Sequence, residues 1–162
     1  GLYYNYGIKK EILDQKIFGV YKHRVQNRKI PLVRGFDDYF MAPHSRHTRM
    51  DEDAIRNNPD LIVLAESEEA GIFLILSKDN SQIFCMGHPE YDRLTLDKEY
   101  KRDLEKGMDI QMPVNYYPND DVNERPFLQW RSHANCLYTN YLDYYVYQMT
   151  PYDLHWLPKD KR

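Results

Sequence analysis

The chain has 162 residues, enough for one domain with a real core. Its hydrophobic fraction of 42% and charged fraction of 29% exclude a disordered chain, and no apolar run reaches the length of a bilayer span. A formal net charge of -3 gives no reason to expect nucleic acid or an anionic membrane as partner, and two cysteines cannot build a disulfide framework, so a reducing cytoplasm fits best.

The chain opens Gly1-Leu2-Tyr3-Tyr4-Asn5-Tyr6-Gly7 without a Met. This polar, tyrosine-rich start does not read as a signal peptide. It reads as the tail of a helix over residues 1–6, stopped by Gly7, in a fragment whose preceding part was removed. Ile17 to Val25 predicts a strand, and Gln26-Asn27-Arg28-Lys29 a hairpin turn after it. Leu32 to Phe40 is expected to be irregular and to lead through Met41 and Ala42 into Pro43-His44-Ser45-Arg46-His47. Asp51 to Asn58 predicts a short helix with acidic residues in its first turn. Leu61 to Ala65, Gly71 to Leu76 and Ile83 to Met86 predict strands, and Ser77 to Ser81 a hairpin turn. Gly71 to Leu76 is too continuously apolar for a half-exposed strand and implies cover on both faces.

Leu94 to Lys106 predicts an amphipathic helix on a Leu96, Tyr100, Leu104 stripe, with Gly107 as its stop. Residues 108–126, with several Pro, Asn and Asp, predict a long loop of the kind that is often functional. Trp130 to Met149 predicts a helix carrying Leu137, Tyr141, Tyr144, Tyr145 and Tyr147, packed between sheet and neighbour or at a subunit contact. The tail from Pro151 is expected to be irregular. Mixed strands and helices with at least one hairpin indicate an α/β sheet that includes some antiparallel strands.

The most informative stretch is Gly87-His88-Pro89-Glu90, at the end of an apolar run. In an extended chain, residues two apart face the same side, so His88 and Glu90 are expected to meet, with Pro89 stiffening the link. A carboxylate on one imidazole nitrogen leaves the other free as a base, which is two-thirds of a catalytic triad. A structural pairing at a strand end is the bland alternative. The apolar run, the Gly and the Pro weigh against it, as does the place of active sites beyond strand carboxyl ends. No nucleophile accompanies the pair. Cys85 should point to the opposite side and be buried, Cys136 should be core, and no serine has an elbow context.

His44 and His47 could offer ligands that His88 and Glu90 would complete, but nothing else of ligand type lies nearby, and no metal is expected. The acidic runs 51–53 and 120–124 lack a calcium-loop pattern and are expected to be solvated. By periodicity Arg102 falls on the exposed helix face, within reach of Glu99 one turn back. Lys16 and Ser45 carry no signal by themselves.

Several strings resemble, in order, the MetA-type homoserine O-acyltransferases. They are Gly19-Val20-Tyr21-Lys22-His23-Arg24, Arg34-Gly35-Phe36-Asp37-Asp38, Ala42-Pro43-His44-Ser45-Arg46-His47, Leu64-Ala65-Glu66-Ser67-Glu68-Glu69, Gly87-His88-Pro89-Glu90-Tyr91-Asp92, Trp130-Arg131-Ser132-His133, Asn140 to Gln148 and Thr150 to Leu154. The resemblance covers essentially the whole chain. It implies a class I glutamine-amidotransferase-like (flavodoxin-like) α/β fold. Residues 1–162 would be the C-terminal part of a single acyltransferase domain, with the N-terminal half absent.

It further implies transfer of an acetyl or succinyl group from acyl-CoA to L-homoserine through a cysteine thioester, with acetyl preferred. The cysteine would precede Gly1, so the fragment alone should be inactive. By position, His88 resembles the family's general base and Glu90 its support. Arg102 resembles the arginine that holds the homoserine carboxylate, and Lys16 and Ser45 resemble substrate-binding positions. Acyl-CoA is a co-substrate, no resident cofactor is implied, and the tyrosine-rich helix offers a contact for a homodimer. The alternatives are a glutamine-amidotransferase-like hydrolase and a non-catalytic module whose aromatic helix binds a partner.

Overall fold

A curled five-stranded antiparallel sheet carries the helices, in the order β2-β1-β3-β4-β5. The computed structural model describes residues 1–148. The elements are α1 (Leu2–Tyr6), β1 (Lys10–Val25), β2 (Tyr39–Met50), α2 (Glu52–Asn57), β3 (Leu61–Ser67), β4 (Gly71–Ser77), β5 (Ile83–Cys85), α3 (Thr95–Glu105) and α4 (Arg131–Tyr141). A π-turn over Leu142–Val146 prolongs α4. Met149 and the tail from Pro151 lie outside the described residues. None of the described helices is long and apolar enough to cross a membrane.

Every strand pair in this sheet is antiparallel, so the expectation of some antiparallel strands understated it. β1 and β3 share only two paired positions, Arg24 with Glu66 and Val25 with Ala65. The sheet opens there and curls, and its two ends meet: the His88 amide just past β5 donates to the Pro43 carbonyl of β2 at 2.8 Å. β4 runs down the middle, as its apolar run implied. Phe73, Leu74 and Leu76 face a core with Leu32, Phe36, Phe40 and Leu137, while Ile72 and Ile75 face one with Leu2, Ile55 and Leu61. Each such side chain contributes about 1.5–3 kcal/mol by leaving water.

Three local expectations need correction. β1 and β2 do form a hairpin, but residues 26–38 with a 3-10 turn at Pro31–Val33 join them, not the four-residue turn 26–29. β2 itself was not expected. Its alternation is hidden because the inward residues are Phe40, Ala42 and then His44, a polar residue that is fully buried. Pro43 is tolerated because β2 is an edge strand of this sheet. On α3, Leu96 is buried as expected, but Leu104 is 47% exposed and Asp103 takes the inward place at 3%. A helix turned this way presents a carboxylate to β1, with consequences for the site.

The acidic run 51–53 is likewise not merely solvated. Asp51 caps α2 by accepting from the Ala54 amide, and Glu52 accepts from the Ile72 amide.

The 108–126 loop is laced to β1. Val114 exchanges backbone bonds with Phe18 and Val20, and passes so close to Gly19 that a Cβ there would lie 2.4 Å from the Val114 carbonyl oxygen. The loop then caps α3. No residue of α3's own N-cap does so, and the Tyr116 hydroxyl accepts from the Asp97 amide at 3.1 Å instead. Tyr117 donates to the Asp97 carboxylate at 2.6 Å. These bonds hold α3 at the angle that aims Glu99 and Asp103 toward Lys16 of β1 and Glu99 toward Ser45 of β2.

α4 runs over Arg131–Tyr141 before the π-turn, and one of its faces is buried within the chain. Its inward face is Ala134, Leu137 and Asn140, and the Asn140 amide donates to the Leu32 and Arg34 carbonyls. Tyr138, Tyr141 and Tyr147 lie outward.

Candidate active site

The apolar strand β5 delivers Gly87 into a space where no side chain fits. A Cβ there would lie 2.7 Å from the Phe73 ring and 3.0 Å from His44 Nε2. The next four residues are not extended, as the sequence had implied, but form a turn in which the Tyr91 amide donates to the His88 carbonyl at 3.1 Å. Pro89 occupies the second position, where its fixed φ suits a turn. The turn still brings the expected pair together: His88 Nδ1 lies 2.8 Å from Glu90 Oε1. Nε2 is therefore the nitrogen left for chemistry, on a side chain 36% exposed.

Tyr91 links this pair to a second cluster. Its ring stacks on the His88 ring at 4.4 Å between centroids and 13° between planes. Its hydroxyl donates to Glu99 Oε1 at 2.7 Å. The other oxygen of Glu99 accepts from Ser45 Oγ at 2.5 Å and lies 3.7 Å from Lys16 Nζ. Lys16 also reaches Asp103 at 3.5 Å and sits over the Phe18 ring. Arg102 donates to Asp103 through Nε at 2.8 Å and through its terminal nitrogen at 2.7 Å.

The five residues singled out in the sequence thus lie along one connected surface. Lys16 gets there through an irregularity of β1: its register to β2 slips between Ile12 and Ile17. Such a bulge re-aims side chains. Arg102 does lie on the outer face of α3, with its side chain 55% exposed, but its bonded partner is Asp103 rather than Glu99. Burial pushes the Asp103 carboxyl toward a higher pKa, yet the hydrogen bond and charge of Arg102, with Lys16 behind them, outweigh it and hold the group ionised below its ordinary range. Tyr91, Glu99 and Asp103 were missed as site residues. The available signal was spacing: Tyr91 directly follows His-Pro-Glu, and Glu99 stands one turn before Arg102.

The remaining candidates separate from the site. His47 is exposed and His44 is fully buried, so the two do not form a ligand pair. His44 instead meets His23, with Nε2 to Nε2 at 2.9 Å. Among the described residues no group of three His, Cys, Asp or Glu side chains is placed to hold a metal ion. Cys85 was expected to be buried, and in this chain the residue is exposed. Protein atoms nonetheless crowd its sulfur, and this desolvation pushes the thiol up to about 12, far from a reactive thiolate. Cys136 is half-buried against the first core and donates to the Arg34 carbonyl.

A family model described as homoserine O-succinyltransferase matches residues 1–152. The chain belongs to that family. A homoserine O-acetyltransferase of Lachnospira eligens is 67% identical over 155 residues, which are 96% of this chain and 50% of that protein. A homoserine O-succinyltransferase of Shewanella baltica is 53% identical over 154 residues, 95% of this chain and 49% of that one. The chain therefore spans about half the length of these family members.

Two solved structures share its fold at low identity. A glutamine amidotransferase of Methylobacillus flagellatus superposes with a TM-score of 0.53 at 11% identity, covering 84% of this chain and 55% of that one. One from Thermotoga maritima gives 0.51 at 14%, covering 83% and 50%. The fold is accordingly the class I glutamine-amidotransferase-like α/β fold.

Proposed function

We propose that the chain forms the general-base side of a homoserine O-acyltransferase active site. The observation that carries this reading is the continuous path from the His88–Glu90 pair through Tyr91 to the Lys16, Ser45, Glu99, Arg102 and Asp103 cluster, in a chain of this family. A base lies at one end, and both signs of charge lie at the other. That is what a hydroxyl-bearing amino acid needs.

In the whole enzyme, a cysteine outside these 162 residues attacks the thioester of acyl-CoA, and CoA leaves as its thiol. His88 Nε2 then takes the proton of the homoserine γ-hydroxyl while Nδ1 stays on Glu90. The alkoxide attacks the acyl-cysteine, O-acyl-L-homoserine leaves, and the imidazolium returns its proton to the cysteine thiolate. Two half-reactions of this kind give ping-pong kinetics. Arg102 receives the homoserine carboxylate through its outward guanidinium edge, and Lys16 and Ser45 hold Glu99 and Asp103 in place beneath it. Acetyl-CoA is the favoured donor, since the acetyltransferase relative from Lachnospira eligens is more similar than the succinyltransferase from Shewanella baltica.

The test is an assay of the full-length protein with L-homoserine and each donor, read by mass of the O-acyl product. Product is expected, and more from acetyl-CoA. Glutamine hydrolysis, or no acyl transfer from either donor, overturns the reading. Arg102→Ala is expected to raise the homoserine KM by roughly 10- to 100-fold, the worth of a hydrogen-bonded charge pair, and to leave the acyl-CoA KM unchanged. Arg102→Lys should recover only part of the loss, because an ammonium cannot fork onto a carboxylate.

A further inference from the structure

Tyr91 touches both halves of the site. Its amide donates to the His88 carbonyl, and its own carbonyl accepts from the Trp130 indole at 2.8 Å. Trp130 is 1% exposed and sits in the core with Leu96 and Tyr116, so the anchor is itself a core residue. The two free ends of the residue then do different work. The ring face lies parallel on His88, and the hydroxyl lies on Glu99.

We infer that Tyr91 is a positioning residue that holds the His88 base and the Glu99 carboxylate in register. This rests on the acyltransferase reading above. The ring restricts rotation of an imidazole that is otherwise tied only through Nδ1 to a 53% exposed Glu90. A tyrosine face also favours the imidazolium that forms as the hydroxyl proton is taken. The phenol fixes Glu99 Oε1, so that Ser45 and Lys16 engage the other oxygen rather than competing for both. Burial, and then the neighbouring Glu99 carboxylate, push the Tyr91 pKa up, which keeps its hydroxyl a donor throughout the working range.

The two roles separate by substitution. In the full-length enzyme, Tyr91→Phe keeps the ring and loses the hydroxyl: kcat is expected to stay near wild type while the homoserine KM rises about three- to tenfold, the worth of one hydrogen bond. Tyr91→Leu loses both, and kcat should also fall by about three- to tenfold, the worth of a ring contact. An unchanged homoserine KM in Tyr91→Phe overturns the inference. So does a Tyr91→Leu enzyme with the kcat of Tyr91→Phe. If the Leu variant fails to fold, the KM of the Phe variant decides alone. Failure of the wild-type protein to acylate homoserine refutes the acyltransferase reading itself, whereas active wild type with unaltered Tyr91 variants refutes only this inference.

Discussion

His88→Ala in the full-length enzyme is expected to cut O-acylhomoserine formation by about 10²–10⁴-fold, the usual contribution of a general base. The geometry sets that size. One imidazole nitrogen is held by Glu90 at 2.8 Å, so a single nitrogen and a single tautomer serve the reaction. Nothing else on the described residues replaces it. His44 and His23 are fully buried, and the hydroxyl of Tyr91 is committed to Glu99. The loss should fall on kcat, because the contact proposed for the homoserine carboxylate is Arg102 on α3 and not His88. Folding should survive: the side chain is 36% exposed, and the amide bond to Pro43 belongs to the backbone. Glu90→Gln should lose less, since an amide oxygen still accepts from Nδ1 but does not stabilise the imidazolium. Steady-state rates with a thermal-unfolding control check both variants. Wild-type turnover by His88→Ala would end the assignment of His88 as base.

The second large effect concerns stability in acid. His23 and His44 stack with their Nε2 atoms 2.9 Å apart, beside Phe40 and Phe73, and neither Nδ1 has a hydrogen-bond partner among the described residues. Burial drives the His23 pKa from 6.5 down to about 4. Burial, and then its neighbour His23, drive His44 well below 6.5. Both rings are neutral in the folded and unfolded protein at pH 8. As pH falls below 6.5 the unfolded chain takes up protons that the folded one refuses, so stability declines until the folded pKa is reached. For His23 alone the loss between 6.5 and 4 is about 3 kcal/mol, a large share of a typical domain's stability.

Carboxylates do not confuse this window. Those whose pKa the fold lowers, such as Asp97 and Asp103, start from 3.8 and lose their contribution below it. Denaturant unfolding of the full-length protein at pH 8, 6 and 5 should show the decline. The paired replacement His23→Leu with His44→Leu should flatten it, because removing both partners leaves no unsatisfied group. Equal stability at pH 8 and pH 5, or the same slope in the paired variant, would sink the claim.

The same pair shows why part of the fold was not legible. β2 escaped a reading by alternation because its inward residue at position 44 is a histidine, and a polar residue is buried only where another part of the chain supplies its partner, here His23 from β1. α3 was legible as a helix, but its rotation was not. Leu104 looked like the third apolar contact, and Asp103 is buried in its place because Lys16 and Arg102 offset its charge. Periodicity counts apolar residues and is blind to a carboxylate that has found cations. The His88 and Glu90 contact was foreseen for the wrong geometry, as an extended strand rather than a turn, because either shape brings residues two apart together around a proline.

What the sequence determined by itself is local or motif-borne. The stop of α1 at Gly7, the double-faced strand β4, the base with its orienting carboxylate, and the family all follow from neighbouring residue types or ordered strings. What only the tertiary structure decided is which distant residues stand beside that base. Lys16 enters through a bulge in β1, Ser45 through an unexpected strand, and Glu99 and Arg102 through a helix whose angle the 108–126 loop holds. Tyr91 joins them because the sheet curls until its ends meet. Long-range pairing and burial choose these neighbours, and neither is written in the spacing along the chain.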